Sequence, residues 1–168
     1  RNDDPNDQSL LQQSSRLYAD KPSEANDTMR TGFDPRGARL FRALVEAGFL
    51  IANADGHFDA EERVAFAQVV AEACDESVTA ANLDELTGDL ALDLATSSIE
   101  ERIEVVCAAV TNDEERIEVF RVAVVMAYAS SGLSDSERRV LDQLAEGLKL
   151  DSKTTSEILQ AASEQAVT

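Results

Sequence analysis

Oxygen-bearing side chains crowd one short stretch of this chain, Asn53-Ala54-Asp55-Gly56-His57-Phe58-Asp59-Ala60-Glu61-Glu62-Arg63. Carboxylates and an amide at this spacing could hold a hard cation such as Ca2+ or Mg2+, since both ions take oxygen ligands. Laid on the EF-hand loop, Asn53, Asp55, Gly56, Phe58, Asp59 and Glu62 match its third, fifth, sixth, eighth, ninth and twelfth positions. The first position is Ile51, which has no oxygen to offer, so a full Ca2+ cage is not available. A half-site of Asp55, Asp59 and Glu62, with Asn53 beside them and the carbonyl of His57 or Gly56, would hold one ion weakly and leave it several waters. The same acids have a purely structural use. Asp59 followed by Glu62 has the form of a capping box, in which the Asp accepts from the third helical N–H and the Glu reaches back to the cap's own N–H.

Two apolar helical patterns flank this turn. Ala43 to Ala54 carries a single charge, Glu46, and downstream Val64, Phe66, Ala67, Val69, Val70 and Ala71 recur at helical spacing. The pattern then returns without a gap. Setting Ala52 on Ala127 places Ala54 on Ala129, Phe58 on Leu133, Glu62 on Glu137, Arg63 on Arg138 and Gln68 on Gln143. Ser134 and Glu137 repeat the capping box. This reads as an internal duplication, in which a half that cannot bury its apolar face alone is covered by its copy. The acidic turn occurs only once, because Asp55-Gly56 corresponds to Ser130-Ser131.

Two helix pairs, the first joined by Ala-Asp-Gly-x-Phe-x-x-x-Glu (Ala54 to Glu62) and the second by a turn ending in Leu-Ser-Asp-Ser-Glu-Arg (Leu133 to Arg138), resemble the TerB-like domain. That domain occurs in tellurite-resistance TerB and at the start of the membrane co-chaperone DjlA. The resemblance spans about residues 36 to 165 and leaves the first 35 without a counterpart. It implies an all-helical fold and association with stress-response or membrane-linked complexes, including tellurite resistance. Ser130-Ser131 departs from the paired acidic turns of that family, which weakens a two-site metal arrangement.

Charge narrows the partners. The 168 residues hold 33 acids against 15 bases, a net charge of −18, so most of this surface repels phosphate backbones and anionic lipid. Nucleic acid is excluded on that ground, and a protein with a basic surface is favoured. Between Arg63 and Arg102 there is no base, while Glu72, Asp75, Glu76, Asp84, Glu85, Asp89 and Asp93 are among the acids. Such a run either solvates a face or docks a basic partner. The longest uncharged run, Val122 to Leu133, falls short of the roughly 18 residues a membrane helix needs, so direct membrane insertion is not expected. A cytoplasmic setting, or the cytoplasmic face of a membrane complex, follows from the absence of a disulfide pattern around Cys74 and Cys107.

Enzyme chemistry is not expected. His57 is the only histidine, and there is no Gly-rich phosphate loop, no GxSxG, no activated Cys and no ExxH pair. With aromatics at 5% and no Trp, the core must come from Ala, Val, Leu and Ile, which suits closely packed helices.

In chain order, residues 1–35 form an acidic tail holding all three prolines, extended apart from a short helix whose Leu10, Leu11, Leu17 and Tyr18 share a face that could dock. Residues 36–168 form the helical domain. Helices are expected over Arg36–Ala54, Ala60–Ala73, a third opened by Thr79 or Asn82 and running through Leu94, then Ile99–Val110, Asp113–Ala129, Ser134–Leu148 and Ser152–Ala166, opened at several points by Ser98 with Glu101, Asn112 with Glu115, and Ser134 with Glu137. The fold class is therefore all-α, a compact bundle of about seven helices built from two duplicated helix-turn-helix halves. The function that fits is a non-enzymatic acidic interaction module, modulated by a divalent cation at the Asp55 to Glu62 turn. The alternatives are a structural accessory subunit anchored in a larger complex by its tail, and a cytosolic divalent-metal sensor.

Overall fold

The computed structural model describes residues 10–12, 35–56, 58–73, 80–130 and 134–167. Beyond a helical turn at Leu10–Gln12, the described residues form seven α-helices and no strand. They are α1 (Pro35–Ala52), α2 (Ala60–Ala73), α3 (Ala80–Ala95), α4 (Ile99–Ala109), α5 (Asp113–Ser130), α6 (Asp135–Gly147) and α7 (Ser152–Val167). The expected boundaries hold to within about two residues because the stop and start signals are local. Asp59 accepts from the Glu62 N–H at 2.8 Å, Ser98 from the Glu101 N–H at 3.1 Å, and Ser134 from the Glu137 N–H at 3.1 Å. Asn112 caps α5 through the Glu115 N–H at 2.8 Å, but the Glu115 carboxylate reaches one residue further back than expected, to the Thr111 N–H at 2.8 Å.

Helices α1 and α5 pack on one another at the centre, and the remaining helices cover them. Helix α1 is buried almost all round: Phe41, Leu44, Val45, Ala47, Phe49, Leu50 and Ile51 belong to the core. Gly48 lets α5 come close, since a Cβ there would stand 2.8 Å from Met126 Cγ. Its one acid, Glu46, is also buried at 2% exposure. Arg102 of α4 answers it with two hydrogen bonds, Nε to Oε2 at 2.7 Å and a terminal nitrogen to Oε1 at 2.9 Å. That bidentate bond, reinforced by the charges of Glu46 and Asp93, pushes the Arg102 pKa up against the opposing effect of burial. Asp93 of α3 joins in, 2.6 Å from Arg42 and 3.6 Å from Arg102, so one charged network ties α1, α3 and α4.

Several helix faces differ from expectation. Val105 and Ala109 of α4 are exposed although apolar, while Ile103, Val106 and Val110 form the buried stripe. Leu92 of α3 is exposed as well, opposite Leu83, Leu86 and Leu90. Positions two apart on a helix point to nearly opposite sides, so Val105, two from Ile103, and Leu92, two from Leu90, leave the core. Gly147 does not end α6 as a terminal cap. It lies within the helix, where a Cβ would meet Cys107 Sγ at 2.8 Å, and Lys149 takes the left-handed conformation (φ 59°) while Leu150 N–H bonds to Ala145 O at 3.1 Å. Burial, with the charge of Glu104 close by, pushes the Cys107 thiol pKa up and so disfavours its thiolate.

Residues 10–12 dock on the bundle. Leu11 is 5% exposed and its N–H donates to Glu118 Oε2 at 2.9 Å, while Arg121 bonds the other oxygen of the same carboxylate. Leu17 and Tyr18, the rest of the expected face, lie outside the described residues. Among the described residues no helix is long and apolar enough to cross a membrane.

Candidate functional site

The acidic turn between α1 and α2 is built as a corner on three rings. Phe58 packs edge-on against Phe49 at 5.1 Å and Phe66 at 6.0 Å, so the turn is bolted to both helices it joins. Asn53 closes the end of α1: its backbone N–H and its Nδ2 both donate to Phe49 O at 3.0 Å. Gly56 follows at φ 84°, a conformation that only glycine adopts without strain, and its N–H bonds Asn53 O at 2.9 Å. Asp59 then starts α2, with Glu62 Oε1 reaching back to its N–H at 3.5 Å. His57 lies outside the described residues.

The four expected cation ligands are thus placed in different ways. Asn53 uses its amide on the helix end, and Asp59 uses its carboxylate on the cap. Asp55 and Glu62 are exposed and line a common cleft of about 380 Å³. Among the described residues no group of three His, Cys, Asp or Glu side chains is arranged to hold a metal ion.

The cleft contains what the sequence reading passed over. Its apolar floor includes Ile51, Phe58, Phe66 and Met126, and its rim includes Glu137 and Ser134 of the second capping box beside Asp55 and Glu62. The two corners therefore meet at one cleft, with the third residue of α2 and the third residue of α6 on its rim. The alignment of Glu62 with Glu137 already held this signal; only packing shows that the two carboxylates share a space. A second cavity of about 270 Å³, lined by Leu11, Val45, Gly48 and Arg121 among others, shares Phe66, Val69 and Met126 with the first.

On the expected partner face, Asp84, Glu85 and Asp89 of α3 and Glu72 of α2 are exposed. Asp93 belongs instead to the Arg42 and Arg102 network. Asp75 and Glu76 lie outside the described residues.

An all-helical bundle whose two capped corners frame one acid-rimmed, apolar-floored cleft describes the class of this protein. Residues 6–162 match the model of a family described as "Protein of unknown function (DUF533)", and the chain belongs to that family. The family is grouped with the TerB-like domains, in keeping with the resemblance at Ala54 to Glu62. The match begins at residue 6 and so takes in the segment that docks through Leu11. No curated protein and no solved structure matches the chain significantly.

Proposed function

We propose that this chain is a non-enzymatic protein-interaction module that presents the acidic face of α3 to a basic partner. The observation that carries this reading is the state of that helix. Asp84, Glu85 and Asp89 are exposed, Leu92 stands 65% exposed at the end of the Glu85-Asp89-Leu92 row, and the ion pairs described on α3 all go to Asp93. An apolar side chain beside unneutralised carboxylates suits a partner with an apolar pocket and a basic rim. Residues 10–12 spend their contacts on the chain's own helices, which favours this reading over a subunit anchored elsewhere by its tail. Kinship with TerB-like domains supports a place in stress-response or membrane-linked complexes.

The test is cross-linking and affinity purification from the native cells with the full chain and with Asp84→Lys/Glu85→Lys/Asp89→Lys. Partners that release as salt rises and are missing from the charge-reversed chain, at unchanged helicity, support the reading. Identical partner sets from both chains overturn it. Modulation by a divalent cation rests on Asp55 and Glu62 lining one cleft. Calcium and magnesium calorimetry on the intact chain and on Asp55→Asn tests it, and no heat, or equal heat from both, removes the cation from the proposal.

A further inference from the structure

The cleft between the two corners shares no residue with the acidic face of α3, so what it binds is a separate question from the function proposed above. We propose that it is a peptide-docking site, taking a partner segment in which a large apolar side chain is flanked by Arg or Lys. Its floor is Ile51, Phe58, Phe66 and Met126, and its volume of about 380 Å³ lies within the ~300–1,000 Å³ range of real ligand sites. The charged groups lining it, among the described residues, are three carboxylates: Asp55, Glu62 and Glu137. An apolar floor under a rim whose described charged groups are all acidic selects a ligand that is apolar in the middle and cationic at its edge. A bare cation would leave the floor unused. An acyl lipid would bring an anionic headgroup to a protein of net charge −18.

The molecule itself shows why the occupant is a peptide. The neighbouring cavity shares Phe66, Val69 and Met126 with the cleft, so the two adjoin across the same side chains. In that neighbouring cavity a peptide segment of the chain itself is already seated. Leu11 buries its side chain there, and its backbone N–H donates to a carboxylate, Glu118, at 2.9 Å. The cleft offers the same two elements, apolar wall and carboxylate.

Met126 lies where the cavities join, and the chain has only two methionines, so a full-length sample labelled at the methionine methyl carbons gives a two-signal spectrum, assigned with Met29→Leu. The probe is a random peptide library displayed on phage and selected on the full chain, followed by titration of the enriched peptides. The expected result is enrichment of Leu, Phe or Tyr next to Arg or Lys, with saturable movement of the Met126 signal. Glu62→Gln/Glu137→Gln keeps both capping boxes, because Gln serves at that position, and removes two rim charges. It should weaken the peptides by about 2- to 30-fold, as expected for two partly exposed ion pairs. Enriched peptides without bases, a Met126 signal that does not move, or affinity unchanged in the double variant each overturns the proposal. Charge reversal on α3 should leave the Met126 titration as it was, so failure at the cleft and failure at the α3 face are read separately.

Discussion

Removing Arg102 should unfold this protein more readily than any surface change, and the reason is Glu46. That carboxylate is 2% exposed in the middle of α1, and its two oxygens accept from Arg102 at 2.7 and 2.9 Å. Arg102→Ala leaves the charge in the core without its partner, and breaking one side of a buried pair costs about 3–5 kcal/mol. Native stabilities are about 5–15 kcal/mol, so the loss is a large share of the whole. For a domain near this size each kcal/mol moves Tm by about 2–4 °C, which places the shift at about 6–20 °C. Arg102→Lys should fall between, since an ammonium keeps the charge but not the two-pronged geometry. The decisive variant is Glu46→Met/Arg102→Met. Replacing the whole pair by apolar groups of similar length spares both desolvation penalties and should be neutral or stabilising relative to wild type. Urea unfolding followed by helical circular dichroism, run as a double-mutant cycle, measures all of these. A loss under about 1 kcal/mol for Arg102→Ala, or a double variant as unstable as the single, would refute the argument.

Two further outcomes follow from local geometry. Gly48→Ala forces a Cβ to 2.8 Å from Met126 Cγ, and after about 1 kcal/mol of gained helix propensity it should still lose about 1–2 kcal/mol; Gly88→Ala, with nothing within 4 Å, should gain about 1 kcal/mol, and urea midpoints of equal sign would contradict this. Asp151 caps α7 through the Thr154 N–H at 2.7 Å, and that bond holds its carboxyl below the ordinary aspartate value of 3.8. A depressed folded value means that the contribution is present above the unfolded pKa and is lost as pH falls through the folded one. The midpoint difference between wild type and Asp151→Ser should therefore change below about pH 4; a difference constant from pH 7 to pH 3 would refute the cap's role.

Apolar side chains left outside the core show where sequence pattern and packing part. Val105, Ala109 and Leu92 stand among apolar neighbours in the sequence, yet each is exposed. Composition over a window tells that a helix has an apolar face; the angle at which it meets its neighbours decides how wide that face is. Gly147 shows the same division. Its neighbourhood marks the end of a helix correctly, but the glycine is required by Cys107 of α4, and Lys149 makes the turn.

What the amino-acid order determined alone is everything that acts within about one helical turn. The helices, their ends to within about two residues, the Asp59–Glu62 and Ser134–Glu137 boxes and the tight corner at Gly56 all rest on contacts between residues three or four apart, whose geometry the backbone itself imposes. Tertiary packing decided the rest. Glu46 finds Arg102 across 56 positions and Leu11 finds Glu118 across 107. Glu62 and Glu137 line one cleft only because two separate corners fold against each other. No local rule constrains such pairs, since they depend on how rigid helices stack once each has formed, and the stacking is settled by the whole apolar surface at once.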